Sequence, residues 1–226
     1  MMYEVIVTSI EDSVRKFSVQ LKESEAELQE LRRKLDCVQL RPMINPSRAR
    51  PCLALFSQDQ LLHRGLVTNC SEDKCSVYYV DYGNVELLDS RYIFEMPDEI
   101  ADIKLLACRC SLADSDDLEH LNGVAEAFAS IVPAKFFKCV VVDVNHPQKV
   151  YLYDEMGRSV KDLIISALGK GSFPAKKSSN PSQHVVSSVR ATARREQVLN
   201  GQLAPSTSRV SVQVMIRYLI FYLDTV

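Results

Sequence analysis

The sequence predicts a mainly β protein with helices, in which a small β-barrel is inserted into a second β unit. Three observations carry that expectation. Apolar side chains recur at every second position over residues 3–7 and 17–21, four short strand-like runs crowd into residues 52–88, and two more follow at 136–144 and 150–153. The first and last pairs read as halves of one unit, with the middle block between them.

In chain order, Tyr3, Val5 and Val7, then Phe17, Val19 and Leu21, give each of two strands one apolar face. The polar stretch 11–15 between them marks a hairpin. Ser24-Glu25-Ala26-Glu27 has the form of a capping box, and Leu28, Leu31 and Leu35 follow at helical spacing, which predicts a helix of about 12 to 15 residues. Pro42 and Pro46 end that segment. Residues 52–56, 62–68, 76–81 and 85–88 then read as strands, with turn chemistry at Ser57-Gln58-Asp59, at 69–74 and at Gly83-Asn84. So many short strands favour a closed barrel, which leaves no edge exposed.

Beyond Pro97 come an apolar segment at 105–112 and a helix from about Ser115 carrying Leu118, Leu121, Ala125 and Phe128 on one face, stopped by Pro133. The acids Asp114, Asp116, Asp117 and Glu119 fall at its start, where a helix dipole favours them. Asn145-His146-Pro147 joins the last two strands, and 160–168 reads as a closing helix. From 169 to 208 the composition shifts to Ser, Lys, Arg, Pro and Gln, the mark of a linker or disordered tail. Residues 210–226 are apolar but interrupted by Gln213, Arg217 and Asp224, short of the ~20 clean residues a membrane span needs. The expected division is 1–21 for the first strands of the outer unit, 22–47 for the helix and linker, 48–100 for the inserted barrel, 101–168 for the rest of the outer unit and 169–226 for the basic tail.

The 226-residue chain carries 27 Lys plus Arg against 29 Asp plus Glu, and the balance is uneven: net −8 over 1–168 and net +6 over 169–226. An acidic body lacks the concentrated cations that phosphate binding needs. Hydrophobic residues at 46% and charged residues at 25% exclude wholesale disorder and a membrane-embedded body. Seven cysteines, without a Cys-x-x-Cys pair or a His at zinc-finger spacing, offer neither a metal site nor a disulfide framework. Cys108 and Cys110 read as buried free thiols. With no secretory leader at Met1, a reducing, cytoplasmic setting is expected, and no cofactor.

The segment Tyr79-Val80-Asp81-Tyr82-Gly83-Asn84, preceded by a Cys-Leu-Ala-Leu-Phe strand and an acidic turn, resembles the signature of Tudor domains. The order of elements over 1–168 is similar to that of an extended Tudor domain, a Tudor (SH3-like) barrel inserted into a staphylococcal-nuclease-like OB fold. That arrangement belongs to germline Tudor-domain-containing proteins and the Tudor-staphylococcal nuclease family. The capped helix upstream and the Leu-Ala-Cys-Arg-Cys-Ser-Leu run downstream support it.

The resemblance implies a binding pocket and no catalysis, since no segment combines the acidic metal ligands and arginines of a nuclease. It implies a cage for symmetrically dimethylated arginine formed by Phe56, His63, Tyr79 and Tyr82, with Asn84 accepting a remaining guanidinium N–H. A methylated guanidinium stays flat and cationic while losing hydrogen bonds, so aromatic faces hold it well. His63 stands where the family carries tyrosine, in Leu62-His63-Arg64-Gly65. A protonated imidazole would repel the cation, so binding is expected to weaken below about pH 6.5. Without the resemblance, Tyr79 and Tyr82 read as strand packing.

The implied partner is the arginine-rich peptide of a Piwi-type Argonaute protein, and the implied setting is perinuclear germ granules and piRNA silencing in gametogenesis. No membrane or small-molecule substrate is expected. Two alternatives stay open: a methylation-independent scaffold with a degenerate cage, and RNA binding through the OB unit and basic tail, the tail making a weak contact.

Overall fold

The computed structural model describes residues 2–118 and 120–169. Val5 and Val7 on β1 (Met2–Asp12) and Phe17 and Val19 on β2 (Lys16–Leu21) are buried, and the strands pair antiparallel with Val7 opposite Val19. β1 pairs on its other side with β9 (Phe136–Asp143), and β9 with β10 (Gln148–Tyr153). β10 runs parallel to β8 (Ala107–Leu112), which pairs back onto β2. The five strands close a barrel in the order β1-β2-β8-β10-β9. Closure satisfies every strand edge. Phe128 of α3 (Val124–Ile131) and Ile164 of α4 (Val160–Gly169) enter the barrel's core, where the Phe17 and Phe128 rings stand 5.2 Å apart.

The intervening chain leaves after β2 and returns at β8, between strands that are hydrogen-bonded neighbours. Its first element, α1 (Glu25–Asp36), buries Leu31 and Leu35 against Leu53, Ile100 and Leu106. The expected capping box does not form. A 3-10 turn, Lys22–Ser24, leads into α1, so Ser24 is already turned (φ −82°, ψ 0°) and its hydroxyl caps nothing.

β3 (Pro51–Leu55), β4 (Leu62–Ser71), β5 (Lys74–Tyr79), β6 (Val85–Asp89) and β7 (Ile93–Glu95) form an antiparallel sheet in the order β6-β5-β4-β3-β7. The expected hydrogen-bonded closure of this inserted block is corrected: β6 and β7 remain its edges, and the closed barrel is the outer unit. β7 has only three residues and follows β6 through a 3-10 turn, Ser90–Tyr92. Residues 41–43 cover its free edge, with Met43 N–H donating to Ile93 and Glu95 N–H to Arg41.

Three further expectations are corrected. The turn at 69–74 shrinks to Glu72 and Asp73, because β4 and β5 pair through Cys70 and Cys75, which form a disulfide the cysteine spacing did not suggest. The helix from Ser115 splits into a 3-10 turn, Asp116–Leu118, and α3, whose inner face is Val124, Ala127 and Phe128; Leu121 and Ala125 are exposed. Gly123, with φ +87°, interrupts it. Asp116 and Asp117 stand in the first turn of the 3-10 segment and Asp114 precedes it, so none of the three lies at the start of α3, and Glu119 lies outside the described residues. Asp114 pairs with the Tyr151 hydroxyl and Asp117 with Lys161 at 2.8 Å. The tail expectation falls on residues outside the described ones.

Candidate functional site

The site begins with a tight turn after β5. Tyr79 accepts from the N–H groups of Tyr82 (3.2 Å) and Gly83 (2.7 Å), and its own N–H donates to the Asn84 carbonyl (2.8 Å). The turn needs φ +86° at Gly83, and a Cβ there would collide with Ser18 of β2. Glycine is required twice, for backbone conformation and for close approach. Thr8 Oγ1 donates to the Tyr82 carbonyl (2.7 Å) and Gln20 Nε2 to that of Asp81 (2.5 Å), fastening the turn to the barrel.

Asp81 does structural work from the same turn. Its carboxylate is 2% exposed and accepts two bonds from the fully buried Arg64, at 2.6 and 2.9 Å, and one from the Leu106 N–H. Arg64 also donates to the carbonyls of Ile100, Ile103 and Lys104. All five of its N–H directions are engaged with the turn or with the segment that returns to the barrel.

On that support, Phe56, His63, Tyr79, Tyr82 and Asn84 line one cavity of about 40 Å³. Phe56 follows β3, His63 lies on β4 opposite Ala54, and Tyr79 ends β5. The rings meet nearly at right angles: Phe56 to Tyr79 at 5.2 Å, Phe56 to His63 and His63 to Tyr79 at 5.7 Å, and His63 to Tyr82 at 5.0 Å. Such walls turn both ring faces and ring edges inward, and the faces attract a flat cation. Asn84 brings a buried amide to the same wall.

Two lining residues escaped sequence reasoning, Arg32 of α1 and Asp59 of the loop after β3. Asp59 Oδ1 accepts the Leu61 N–H at 2.9 Å, and its two oxygens lie 3.2 and 3.0 Å from His63 Nε2. Arg32 Nη2 reaches the Tyr82 hydroxyl at 3.5 Å and Asp59 at 4.0 Å. Asp59 was legible only as a turn residue, and Arg32 is 27 positions from it with no local signal.

Burial alone would raise the Asp59 pKa, but the His63 hydrogen bond and charge, the Leu61 N–H and Arg32 outweigh it and hold the carboxyl below its ordinary 3.8. Burial raises the Tyr79 phenol, with Glu86, bonded to its hydroxyl at 2.9 Å, adding to the effect. Burial also raises Tyr82, against the opposing pull of Arg32. Both tyrosines present neutral rings at physiological pH. The structure places Asp59 beside His63, so any positive charge on the ring faces a carboxylate.

A larger open depression of about 770 Å³ lies between the end of α1 and residues 95–100, but no aromatic side chain lines it. Among the described residues no cluster of three or more His, Cys, Asp or Glu could hold a metal ion, and no helix is long and apolar enough to cross a membrane. Cys108 and Cys110 are free thiols, Cys110 buried and Cys108 partly so.

A family model described as Tudor domain matches residues 1–114. The Protein tudor of Drosophila melanogaster is 32% identical over 121 residues, 53% of this chain and 5% of that protein, so the chain spans a small part of that relative's length. The crystal structure of the human TDRD1 extended Tudor domain in complex with a symmetrically dimethylated peptide matches with a TM-score of 0.67 at 26% identity, covering 74% of this chain and 88% of that one. The mouse TDRD1 extended Tudor domain TD3, in complex with a MILI peptide containing dimethylarginine, matches in fold with a TM-score of 0.66 at 22% identity, covering 74% and 91%.

Proposed function

We propose, since the chain belongs to the Tudor domain family, that it is a non-enzymatic adaptor whose cage takes a symmetrically dimethylated arginine from a partner's peptide tail. Tudor domains are binding modules, and the human domain it resembles holds a symmetrically dimethylated peptide. The observation that carries the reading is the convergence of Phe56, His63, Tyr79 and Tyr82 on one cavity beside Asn84. The faces of the Phe56, Tyr79 and Tyr82 rings attract a cation, and the amide oxygen of Asn84 accepts an N–H that methylation leaves behind.

The partner we propose is a Piwi-type Argonaute protein, met in perinuclear germ granules during small-RNA silencing. Support for that class is the likeness to the mouse domain solved with a MILI peptide. In this reading the cage selects the side chain, and the groove between the inserted sheet and the outer barrel holds the peptide backbone. One observation favours a second reading, a methylation-independent scaffold: a cation of the chain's own, Arg32, stands in the lining of the cavity.

Calorimetry separates the two readings. One arginine-rich peptide, unmodified and symmetrically dimethylated, is titrated into the wild type and Tyr82→Ala. A methyl preference that disappears in the variant supports the reader. Equal affinity for both peptides supports the scaffold.

A further inference from the structure

Arg32 brings a guanidinium of its own into the lining of the cage, and the seven lining residues are not equally fixed. Phe56, His63, Tyr79 and Asn84 are buried and built into or beside the sheet. The Tyr79 hydroxyl is anchored on Glu86, and the backbone of Tyr82 is bonded at both its N–H and its carbonyl.

Arg32 differs in each respect. It reaches over from α1, its side chain is 29% exposed, and its two contacts in the cage are long, 3.5 Å to the Tyr82 hydroxyl and 4.0 Å to Asp59. Its Nη1 is buried without a hydrogen-bond partner among the described residues, which leaves a desolvated donor unanswered. Leu31 and Leu35 hold the helix in place, so the side chain can swing out without moving α1.

We propose that Arg32 is an internal stand-in for the ligand, and that Asp59 is the carboxylate an incoming methylarginine takes over from it. This rests on reading the cage as a methylarginine site. Arg32 offers the chemistry the ligand would offer, a guanidinium against a tyrosine and a carboxylate. When it leaves, Asp59 keeps His63 and the Leu61 N–H as partners and can accept an N–H from the ligand's guanidinium. Asp59 thereby adds a charged acceptor to the neutral rings and Asn84, and Arg32 sets the threshold a ligand must exceed. A weakly held internal cation favours ligands that keep their charge and shed water easily, as methylated guanidinium does.

The experiment titrates the symmetrically dimethylated arginine-rich peptide into the wild type, Arg32→Ala, Asp59→Asn and the double variant. Arg32→Met, which keeps the packed stem, runs beside Arg32→Ala, and thermal unfolding confirms that each variant folds. Removing Arg32 is expected to tighten binding by up to about fivefold, the ceiling set by the worth of a partly exposed ion pair. Asp59→Asn is expected to weaken binding by at least about threefold, and in its background the Arg32 gain should vanish. Binding that appears only once Arg32 is removed also supports the proposal. A wild type that binds while the Arg32 variants bind equally or more weakly overturns it and leaves the reader intact. Undetectable binding in every protein overturns both. An Asp59→Asn protein with wild-type affinity overturns the role given to the carboxylate.

Discussion

Arg64→Met removes the charge that answers Asp81 while keeping much of the side chain's volume. Arg64 is fully buried and Asp81 is 2% exposed, so the carboxylate left behind would keep only the Leu106 N–H at 3.2 Å. Breaking a buried pair from one side costs about 3 to 5 kcal/mol, because the surviving charge stays desolvated. The carbonyls of Ile100, Ile103 and Lys104 lose their donor in the same step, which places the loss at the upper end. At roughly 2 to 4 °C per kcal/mol for a chain of this size, the midpoint should fall by about 10 to 20 °C. Far-UV circular dichroism with heat and urea measures it, on Arg64→Met, Asp81→Asn and the double variant. The double variant has no buried charge to strand, so its loss should be smaller than the sum of the singles by at least about 1 kcal/mol. Additive losses, or an Arg64→Met protein within about 1 kcal/mol of wild type, would refute the reasoning.

Gly83→Ala should cost more than about 2 kcal/mol, since it places a side chain at φ +86° and drives a Cβ into Ser18. Adding Ser18→Gly relieves only the collision, so urea midpoints should show partial rescue; full rescue would mean that the backbone conformation is not strained. Asp59 has a lowered folded-state pKa. Its contribution is therefore complete above the ordinary carboxylate value of ~3.8 and is lost as pH falls through the lower folded value. Partial exposure limits that contribution to under about 1 kcal/mol. The urea midpoint of Asp59→Asn should trail wild type at pH 7, with a gap that narrows as pH falls below the ordinary carboxylate value of ~3.8; a gap of one size at every pH contradicts the ion pairing. Burial pushes the Cys52 thiol up to about 12, whereas Cys37 is exposed. At pH 7.5 N-ethylmaleimide should label Cys37 quickly and Cys52 only after unfolding, as read by mass spectrometry; native labelling of both at one rate would contradict the buried assignment.

The five expected residues line one cavity, and they were legible through the resemblance carried by the Tyr79–Asn84 segment, since alternation alone read Tyr79 and Tyr82 as strand packing. Phe56, His63, Tyr79, Tyr82 and Asn84 all fall between residues 56 and 84, where register brings β3, β4 and β5 side by side. The capping box failed for a physical reason: Ser24 had the right identity for a cap but enters α1 from a 3-10 turn. The expected closure of the insertion failed because strand count does not say which edges pair. Three residues at β7 and a 3-10 link to β6 decide that.

Alternation, helical spacing and turn chemistry determined by themselves that the chain is mainly β and that one unit interrupts another; the five expected site residues came from the resemblance carried by the Tyr79–Asn84 segment. Those signals are local, because strand and helix periodicity act over a few residues. Only the tertiary structure decided that the outer strands close the barrel, that Arg64 and Asp81 lock the turn to the returning segment, and that Arg32 from α1 meets Asp59 inside the cage. These are pairings of charges and edges across 17 to more than 100 residues, selected by which surfaces are buried together, and no spacing along the chain encodes them.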